Sequence, residues 1–199
     1  MKSENISEEN FLEGKLLIAM PGIGDPRFER SVIYVCVHNP EGAMGLVLNK
    51  PISNVRFPDL LEQLSINVSP EPAIVRECER LPVLIGGPVE SGRGFVLHSQ
   101  DYFSEDSTLP LSRDMGLTAT MDILRAIAEG QGPSQALLAL GYSGWTAGQL
   151  EAEIQSNGWL HCEADANIIF DHNIDAKYSR ALAMLGINLS ILSGDAGHA

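Results

Sequence analysis

The sequence predicts a single α+β domain with a mixed β-sheet, and three features of its apolar pattern support this fold class. Short apolar runs of strand length outnumber the segments with helical spacing. Two of these runs, residues 31–37 and 43–49, flank the turn Asn39–Gly42 and form a predicted hairpin, which requires antiparallel pairing. The predicted helices are interleaved with the strands, which favours a mixed sheet over a regular doubly wound parallel one.

The predicted strands are short apolar runs that are bounded by glycine, proline or asparagine residues. Ser31–Val37 has apolar residues on both of its alternating faces, so we expect other elements to cover this strand on both sides of the sheet. Gly86–Gly94 is interpreted as a hairpin connection between two strands. The predicted strands are Lys15–Ala19, Ser31–Val37, Ala43–Asn49, Val83–Ile85, Phe95–His98, Ala136–Leu140, Trp159–Cys162 and Asn167–Phe170.

The predicted helices combine apolar spacing with start and stop signals. Thr146 and Gln149 have the spacing of a capping box, so we expect Thr146 to be the N-cap of a helix that runs to about Asn157. Residues 65–81 show little periodicity and are predicted to form a loop. The other predicted helices are Pro58–Leu64, Thr118–Ala128 and one that carries Tyr178, Ala181, Leu182 and Leu185 on one face.

The charge balance argues against binding to generic nucleic acid. Acidic residues outnumber basic ones by 26 to 13, which gives a net charge of −13 at pH 7. Binding to a polyanion needs lysine and arginine to displace counterions, but from Ala126 to the C-terminus the only cationic side chains are Lys177 and Arg180. Anionic membrane surfaces are disfavoured for the same reason. We therefore expect neither generic nucleic acid nor a membrane as a partner.

Cysteine usage and the N-terminal sequence favour a cytoplasmic location. The chain has three cysteines, Cys36, Cys78 and Cys162. Because their number is odd and they lack C-x-x-C spacing, they form a poor disulfide framework. Reduced thiols suit the cytosol. Residues 1–10 are polar and acidic, unlike a signal peptide, and are interpreted as a flexible leader before a single domain over residues 11–199. No apolar stretch reaches the length of a membrane span.

An ordered series of short segments runs along nearly the whole chain from Leu12. The segments are Leu17–Asp25 with Pro26 and Phe28, Val35–Asn39, Gly42–Gly45, Asn49–Pro51, Gly86–Val89, Arg93–His98, Gly141–Trp145, Gly148–Glu151 and Ala196–Ala199. No single segment is diagnostic, but their order resembles the YqgE/AlgH family of bacterial proteins.

The resemblance implies a fold and a compartment rather than a reaction. The implied fold is a single domain with a barrel-like or bifurcated β-sheet surrounded by helices, and the implied compartment is the bacterial cytosol. The family has no established reaction. Its members are often labelled transcriptional regulators, a label that conflicts with the acidic charge of this chain.

Two glycine-containing motifs invite a catalytic or phosphate-binding interpretation. Ser143 follows a predicted strand and precedes a helix, as in a nucleophile elbow, but bulky Trp145 stands where close packing needs a small residue. A structural turn is therefore the favoured interpretation. Gly86-Gly87-Pro88 lacks the G-K-[ST] ending of a phosphate-binding loop and is not followed by a helix, which favours a turn here as well.

A metal site is the third chemical interpretation of the sequence. His161, Cys162 and His172 are suitable ligands by type, but their spacing matches no structural zinc pattern. Adjacent residues of a strand also point to opposite faces of the sheet. We therefore expect no metal and no other cofactor.

Two functional hypotheses from different classes remain open. The first is a binding or regulatory module that recognises a protein or small molecule through the loops around Asp25, Asn49, Gly87 and Trp145. The second is a small hydrolase- or transferase-like enzyme that uses His38 or His98, which requires a concave pocket that holds one of these histidines with a carboxylate within hydrogen-bond reach. Transcriptional regulation is a third hypothesis, which rests on the family label alone. The candidate ligand-binding residues are Asp25, Arg27, His38, Asn49, Gly87, His98 and Trp145.

The loop that contains Asp25 and Arg27 has a second interpretation. Loops held by a rigid sheet commonly carry function. A surface salt bridge, with Asp25 capping a turn, explains the same residues without a ligand.

Overall fold

Nine β-strands and six α-helices lie within residues 11–111 and 114–189, the ranges that this computed structural model describes. The predicted leader, residues 1–10, lies outside them. In these ranges no helix combines the length and apolar character needed to cross a bilayer. The strands are β1 (Lys15–Ala19), β2 (Val32–Asn39), β3 (Gly42–Val47), β4 (Val83–Ile85), β5 (Val89–Ser99), β6 (Thr108–Leu111), β7 (Met115–Thr118), β8 (Ala136–Thr146) and β9 (Trp159–Glu163). The helices are α1 (Phe57–Gln63), α2 (Pro72–Arg80), α3 (Met121–Ala128), α4 (Gln149–Gln155), α5 (Ala166–Ile169) and α6 (Lys177–Met184).

The strands form one curled sheet that is mixed in direction. Their order is β6-β7-β5-β8-β3-β2-β1-β9, and β4 lies beside β8. The β4–β8 pair is parallel, whereas the other pairs are antiparallel. The curled sheet forms a half-barrel with the helices packed around it, which confirms the predicted α+β class and the mixed, partly barrel-like sheet.

The centre of the sheet has apolar packing on both faces, as the pattern of Ser31–Val37 predicts. Side chains at alternate positions of β2 enter two different cores. Tyr34 and Cys36 pack into the larger core, beneath α5 and α6, whereas Ile33 and Val35 pack with Trp145 on the opposite face. All four side chains are fully buried. The hairpin with β3 is also confirmed, with Asn39 opposite Gly42.

The chain between β4 and β5 does not form the predicted hairpin. Residues Leu138–Leu140 of β8 pair with β4 on one edge and with β5 on the other, so β4 and β5 are separated by β8. The connection crosses close to β8 at Gly86 and Gly87. A Cβ atom at Gly86 would lie 2.2 Å from the carbonyl oxygen of Gly141, a separation that no side chain tolerates. The glycines therefore permit a crossing of strands rather than a tight turn between two neighbours.

Three local predictions are wrong because short segments carry ambiguous patterns. The predicted loop 65–81 contains α2, which begins at Pro72. Ile74, Cys78 and Leu81 have helical spacing and pack into one core, a pattern that the surrounding prolines and charges obscure. The predicted strand Asn167–Phe170 is instead helix α5 with Phe170 as its C-cap, and Asp165 accepts a hydrogen bond from the backbone of Asn167 at its start. Strands β6 and β7 are not predicted, and Thr118 ends β7 instead of starting a helix.

The predicted N-cap at Thr146 is also wrong. Thr146 is the last residue of β8, and α4 begins at Gln149 after Gly148, which adopts a left-handed conformation with φ 74°. The interaction between the two residues nevertheless forms, because Gln149 Oε1 accepts hydrogen bonds from the backbone and hydroxyl of Thr146 at 3.0 and 3.2 Å. The glycine lets the chain turn sharply before the helix, so the side chain reaches back to the strand end rather than to a helical cap.

Candidate functional site

The structure brings Asp25, Arg27 and Trp145 together in one cleft of about 500 Å³. We call it the aromatic cleft. Its walls come from five separated segments: the loop before β2, the start of β5, the end of β8, helix α4 and the start of β9. The lining residues are Gly22, Ile23, Asp25, Arg27, Phe28, Pro88, Val89, Gly144, Trp145, Gln149, Glu153, Ser156, Gly158 and Trp159.

Asp25 and Arg27 form a closed ion pair at the rim of the cleft. Asp25 caps a 3₁₀ turn over Pro26–Phe28 by accepting a hydrogen bond from the backbone of Arg27 at 3.0 Å. The Arg27 guanidinium donates to both carboxylate oxygens of Asp25, with contacts of 2.7 to 3.1 Å. These bonds lower the pKa of Asp25 and raise that of Arg27. The pair therefore keeps both charges and leaves neither without a counter-ion.

Glu153 and Trp159 are residues of the cleft that were not among the candidates from the sequence, and Glu153 connects the others. Its Oε2 atom accepts hydrogen bonds from the indole Nε1 of Trp145 at 2.9 Å and of Trp159 at 2.8 Å. Its Oε1 atom accepts one from Gln149 Nε2 at 2.9 Å. The spacing of Gln149 and Glu153, one helical turn apart, is a signal that the sequence offers. The contact with Trp159 depends on the path of the chain between α4 and β9 and has no local signal.

The aromatic wall is rigid because its rings pack edge to face. Trp145 and Trp159 have ring centroids 6.0 Å apart, and Phe28 and Trp159 have centroids 5.6 Å apart. The two tryptophans are only 7% and 2% exposed and are the two in the chain. Intrinsic tryptophan fluorescence therefore reports on this cleft alone.

Asn49 lies outside the cleft but anchors the loop that forms one wall. Its Nδ2 atom donates to the Arg30 carbonyl oxygen at 2.8 Å, and its Oδ1 atom accepts from the Val32 backbone at 2.9 Å. The ammonium of Lys50 donates to the Glu29 carbonyl oxygen at 2.6 Å. Asn49 and Lys50 therefore fix the end of the loop where it enters β2, and Asn49 acts as a positioning residue.

Replacing Asn49 with alanine should loosen this wall and lower the free energy of unfolding by about 1–3 kcal/mol, because two backbone groups lose their partner. Urea denaturation followed by circular dichroism measures the loss. Asn49→Asp keeps an acceptor for the Val32 backbone but cannot donate to Arg30, so its decrease in the free energy of unfolding should be intermediate. Equal stability of wild type and Asn49→Ala would contradict an anchoring role.

Gly87 does not line the cleft, and its backbone packs directly on β8. A Cβ atom at this position would lie 2.1 Å from the carbonyl carbon of Tyr142 and 2.3 Å from the nitrogen of Ser143. The close approach places the next residues, Pro88 and Val89, on the cleft wall. Its contribution to the cleft is therefore structural.

His38 is buried and has both ring nitrogens engaged. Its Nδ1 atom accepts a hydrogen bond from the Leu12 backbone at 3.0 Å, so this nitrogen carries no proton. Its Nε2 atom lies 3.1 Å from Glu151 Oε1 and is therefore the donor. The imidazole, 1% exposed, joins the N-terminal segment to α4. It has a carboxylate neighbour, as the enzyme hypothesis requires, but it does not line the aromatic cleft.

His98 ends a buried chain of hydrogen bonds whose direction follows from its chemistry. Its Nδ1 atom donates to the Ser99 carbonyl oxygen at 2.9 Å, so Nε2 accepts from the Thr118 hydroxyl at 2.8 Å. Thr118 in turn accepts from Thr108, which accepts from the Ser104 backbone. Burial lowers the pKa of His98, which favours this neutral form. His98 therefore has a structural arrangement without a free nitrogen.

Ser143 lies within β8 rather than on an exposed turn. Its side chain is fully buried and donates to the Gly86 carbonyl oxygen at 3.2 Å. This hydrogen bond ties β8 to the crossing segment before β5. The predicted turn at Gly141–Trp145 is therefore wrong, because these residues belong to a strand, but the buried hydroxyl of Ser143 favours a structural role over a nucleophile.

The potential metal ligands and thiols do not converge. His161 is exposed and Cys162 is buried, on opposite faces of β9. Among the residues that the structure describes, no group of three or more histidine, cysteine, aspartate or glutamate side chains is placed to hold a metal ion. The three cysteines are buried and unbonded, and burial raises the pKa of each thiol.

Relatives of this chain share its sequence along almost the full length. The DUF179 family model, described as AlgH-like, matches residues 16–190. A UPF0301 protein of Rhodopseudomonas palustris strain HaA2 is 57% identical over 195 residues, which cover 98% of this chain and 89% of the relative. A UPF0301 protein of Bradyrhizobium diazoefficiens is 58% identical over 194 residues, which cover 97% and 91%.

Two solved structures share the fold. The solution structure of the AlgH protein from Pseudomonas aeruginosa has a TM-score of 0.75 and 45% identity, with 100% of both chains covered. The crystal structure of a Corynebacterium diphtheriae protein has a TM-score of 0.69 over 92% and 91% of the chains, and at 19% identity it supports the fold alone. With its sequence matched from β1 to beyond α6 and its fold matched over the whole chain, this protein belongs to the AlgH-like family.

Proposed function

We propose that this protein is a cytoplasmic, non-catalytic binding protein and that the aromatic cleft recognises a small molecule or a segment of a partner protein. The observation that carries the proposal is the convergence of five chain segments on one concave site with a fixed aromatic wall. Preorganised sites of this size, with a few convergent polar groups, are typical of ligand recognition. The three buried, unbonded cysteines support the cytoplasmic location, since disulfides are rare in the cytosol.

The cleft also extends beyond its first volume. An adjoining depression of about 460 Å³ shares Val89, Gly144 and Trp145 with it and continues along the ends of β3 and β8. The two together offer an elongated surface, which suits a flexible ligand or a peptide segment. This continuity supports recognition of an extended group.

The enzyme alternative has weaker support. Both ring nitrogens of His38 and His98 are occupied, and neither histidine lines the cleft. A general base needs a nitrogen that reaches the substrate. Direct DNA-binding regulation is disfavoured by the net charge of −13. A regulatory role through a protein or small-molecule partner remains compatible with the proposed cleft.

Replacing Gly144 with valine should block ligands from the cleft. Gly144 lines both volumes, and the atoms nearest to a Cβ atom there would be those of the Tyr142 ring, at 3.3 Å, and a Val89 methyl, at 3.9 Å. These neighbours are side chains rather than backbone, so we expect the Tyr142 ring to shift by a few tenths of an ångström while the cleft narrows. Fragments screened by ¹H–¹⁵N NMR should shift the indole signals of Trp145 and Trp159 in the wild type, with affinity at least about tenfold lower in Gly144→Val.

Ala152→Val is the matched control, since this exposed residue of α4 lies outside the cleft lining. It should bind fragments as the wild type does. Fragment shifts that cluster away from the cleft, or that persist unchanged in Gly144→Val, would contradict the proposed site.

A further inference from the structure

Glu153 is the charged group of the aromatic cleft that lacks an opposite charge. Asp25 and Arg27, the other charged residues of the lining, neutralise each other. Glu153 accepts hydrogen bonds only from neutral donors, two indoles and one amide. In the part of the chain that the structure describes, it forms no salt bridge. The cleft therefore carries one uncompensated negative charge.

The neutral donors orient this carboxylate and leave one of its acceptor positions free. A carboxylate offers about four lone-pair positions. Three are used, two on Oε2 and one on Oε1, which leaves a position on the oxygen that faces Gln149. Glu153 is half-buried, so it is only partly solvated. A cationic donor at that position would form a charge-assisted hydrogen bond, which is stronger than a neutral one.

The surroundings of Glu153 suit the apolar stem of an organic cation. Trp145 contacts the carboxylate, and Phe28 and Val89 provide further apolar and aromatic surface in the same cleft. Aromatic rings attract cations, and the methylene chains of lysine and arginine pack against such surfaces. The guanidinium of Arg27 already lies 6.0 Å from the Phe28 ring centre. The net charge of −13 also favours the approach of cations over anions.

We infer that the aromatic cleft takes an alkylammonium or guanidinium group, with Glu153 as its counter-ion, from either a small amine or a basic side chain of a partner. This inference rests on the proposed function and defines its ligand chemistry. Gln149 holds the carboxylate in place, and the two indoles fix its orientation.

The test compares matched probes on the wild-type protein. Butylguanidinium and a blocked peptide, acetyl-Gly-Arg-Gly-amide, represent the small and peptide sources. The same peptide with citrulline in place of arginine is neutral and nearly isosteric. Tryptophan fluorescence and indole NMR shifts should give about tenfold or greater preference for arginine over citrulline, and higher salt should weaken the cation alone. Tighter binding of the peptide than of butylguanidinium would identify a protein segment as the source.

Two substitutions should change cation affinity in opposite directions. Glu153→Gln removes the counter-ion and should weaken binding about tenfold to a hundredfold. Arg27→Gln removes a positive charge and releases the Asp25 carboxylate, so it should strengthen binding severalfold. Glu129→Gln removes the same charge from an exposed position outside the cleft lining. Its cation affinity should stay within about twofold of that of the wild type.

The outcomes separate this inference from the proposed function. Equal binding of the arginine and citrulline peptides, or of wild type and Glu153→Gln, would overturn the cation inference. If neutral or anionic fragments occupy the cleft and cations do not, the proposed function stands and the inference fails. If no probe of any charge shifts the indole signals at millimolar concentration, both fail. The peptide comparison uses the wild type alone, so it decides the matter even if Glu153→Gln folds poorly.

Discussion

Replacing Gly87 with alanine should lower the free energy of unfolding by about 3 kcal/mol or more, enough to prevent accumulation of the folded protein. The added Cβ atom would lie 2.1 to 2.3 Å from three backbone atoms of Tyr142 and Ser143. These atoms belong to β8, which pairs with β3, β4 and β5 and cannot move alone. Gly87 also has φ 156°, a conformation that residues with a side chain rarely adopt.

The matched control is Gly92→Ala, in the first part of β5. Gly92 has open space at the Cβ position and no positive φ, so the change should alter stability by less than about 0.5 kcal/mol. Soluble yield, circular dichroism and urea denaturation compare the two variants. A folded Gly87→Ala protein within 1 kcal/mol of the wild type would show that β8 and the crossing segment can separate, contrary to the packing described.

The strands with continuous or regular apolar patterns were predictable because burial acts on each residue directly. β1, β2, β3 and β9 coincide with apolar runs, and the β2–β3 hairpin follows from its turn residues. The strand with which β4 and β5 each pair was not predictable in this way. Both pair with β8, some 40 residues or more further along the chain, and the glycines between them read equally well as a turn.

The candidate site shows the same division between local and distant signals. The glycine-rich loop around Asp25 points to a functional surface because loops held by a rigid sheet commonly carry function, and Trp145, near the end of β8, lines the same cleft. Glu153 carries only its helical spacing from Gln149, which does not point to a functional surface, since a glutamate on an amphipathic helix is normally solvated. Only the fold shows that the two tryptophans, 14 residues apart, converge on its carboxylate.

Several residues singled out by the sequence act on the cleft indirectly. Asn49 anchors one wall, and Gly87 positions another by its close approach to β8. His38 joins the segment at Leu12 to α4, the helix that carries Glu153. The motifs that resemble the family thus build the framework of the cleft. They also supply much of its lining, including Asp25, Val89 and Trp145, whereas Glu153 and Trp159 lie outside them.

Lys177 should make the stability of the protein increase between about pH 8 and pH 10.5. The side chain is fully buried, and its Nζ atom donates to the Ile169 carbonyl oxygen at 2.5 Å, at the end of α5. Burial lowers its pKa from 10.5 to about 8, and the repulsion of Arg180 adds to this effect, although Asp171 partly opposes it. The charged form is therefore disfavoured in the folded state.

The sign of the pH effect follows from proton binding in the two states. Below pH 8 both states are protonated, so the full cost of burying the charge, about 3 kcal/mol, is present. Between pH 8 and 10.5 the unfolded chain binds the proton more strongly than the folded protein does. The free energy of unfolding therefore rises with pH, by at most about 1.4 kcal/mol per pH unit.

Urea denaturation of wild type, Lys177→Met and Lys177→Gln from pH 7 to 10.5 tests this expectation. Neither replacement titrates, and the tyrosines and cysteines that ionise in the same range are common to all three proteins. The free energy of unfolding of the wild type, minus that of each variant, should therefore rise by about 3 kcal/mol over this pH range. Both differences should follow the same curve, whatever the stability of the variant itself. Parallel stability curves across this range would mean that Lys177 keeps its ordinary pKa despite its burial, and that its hydrogen bond to α5 offsets the lost solvation of the ammonium.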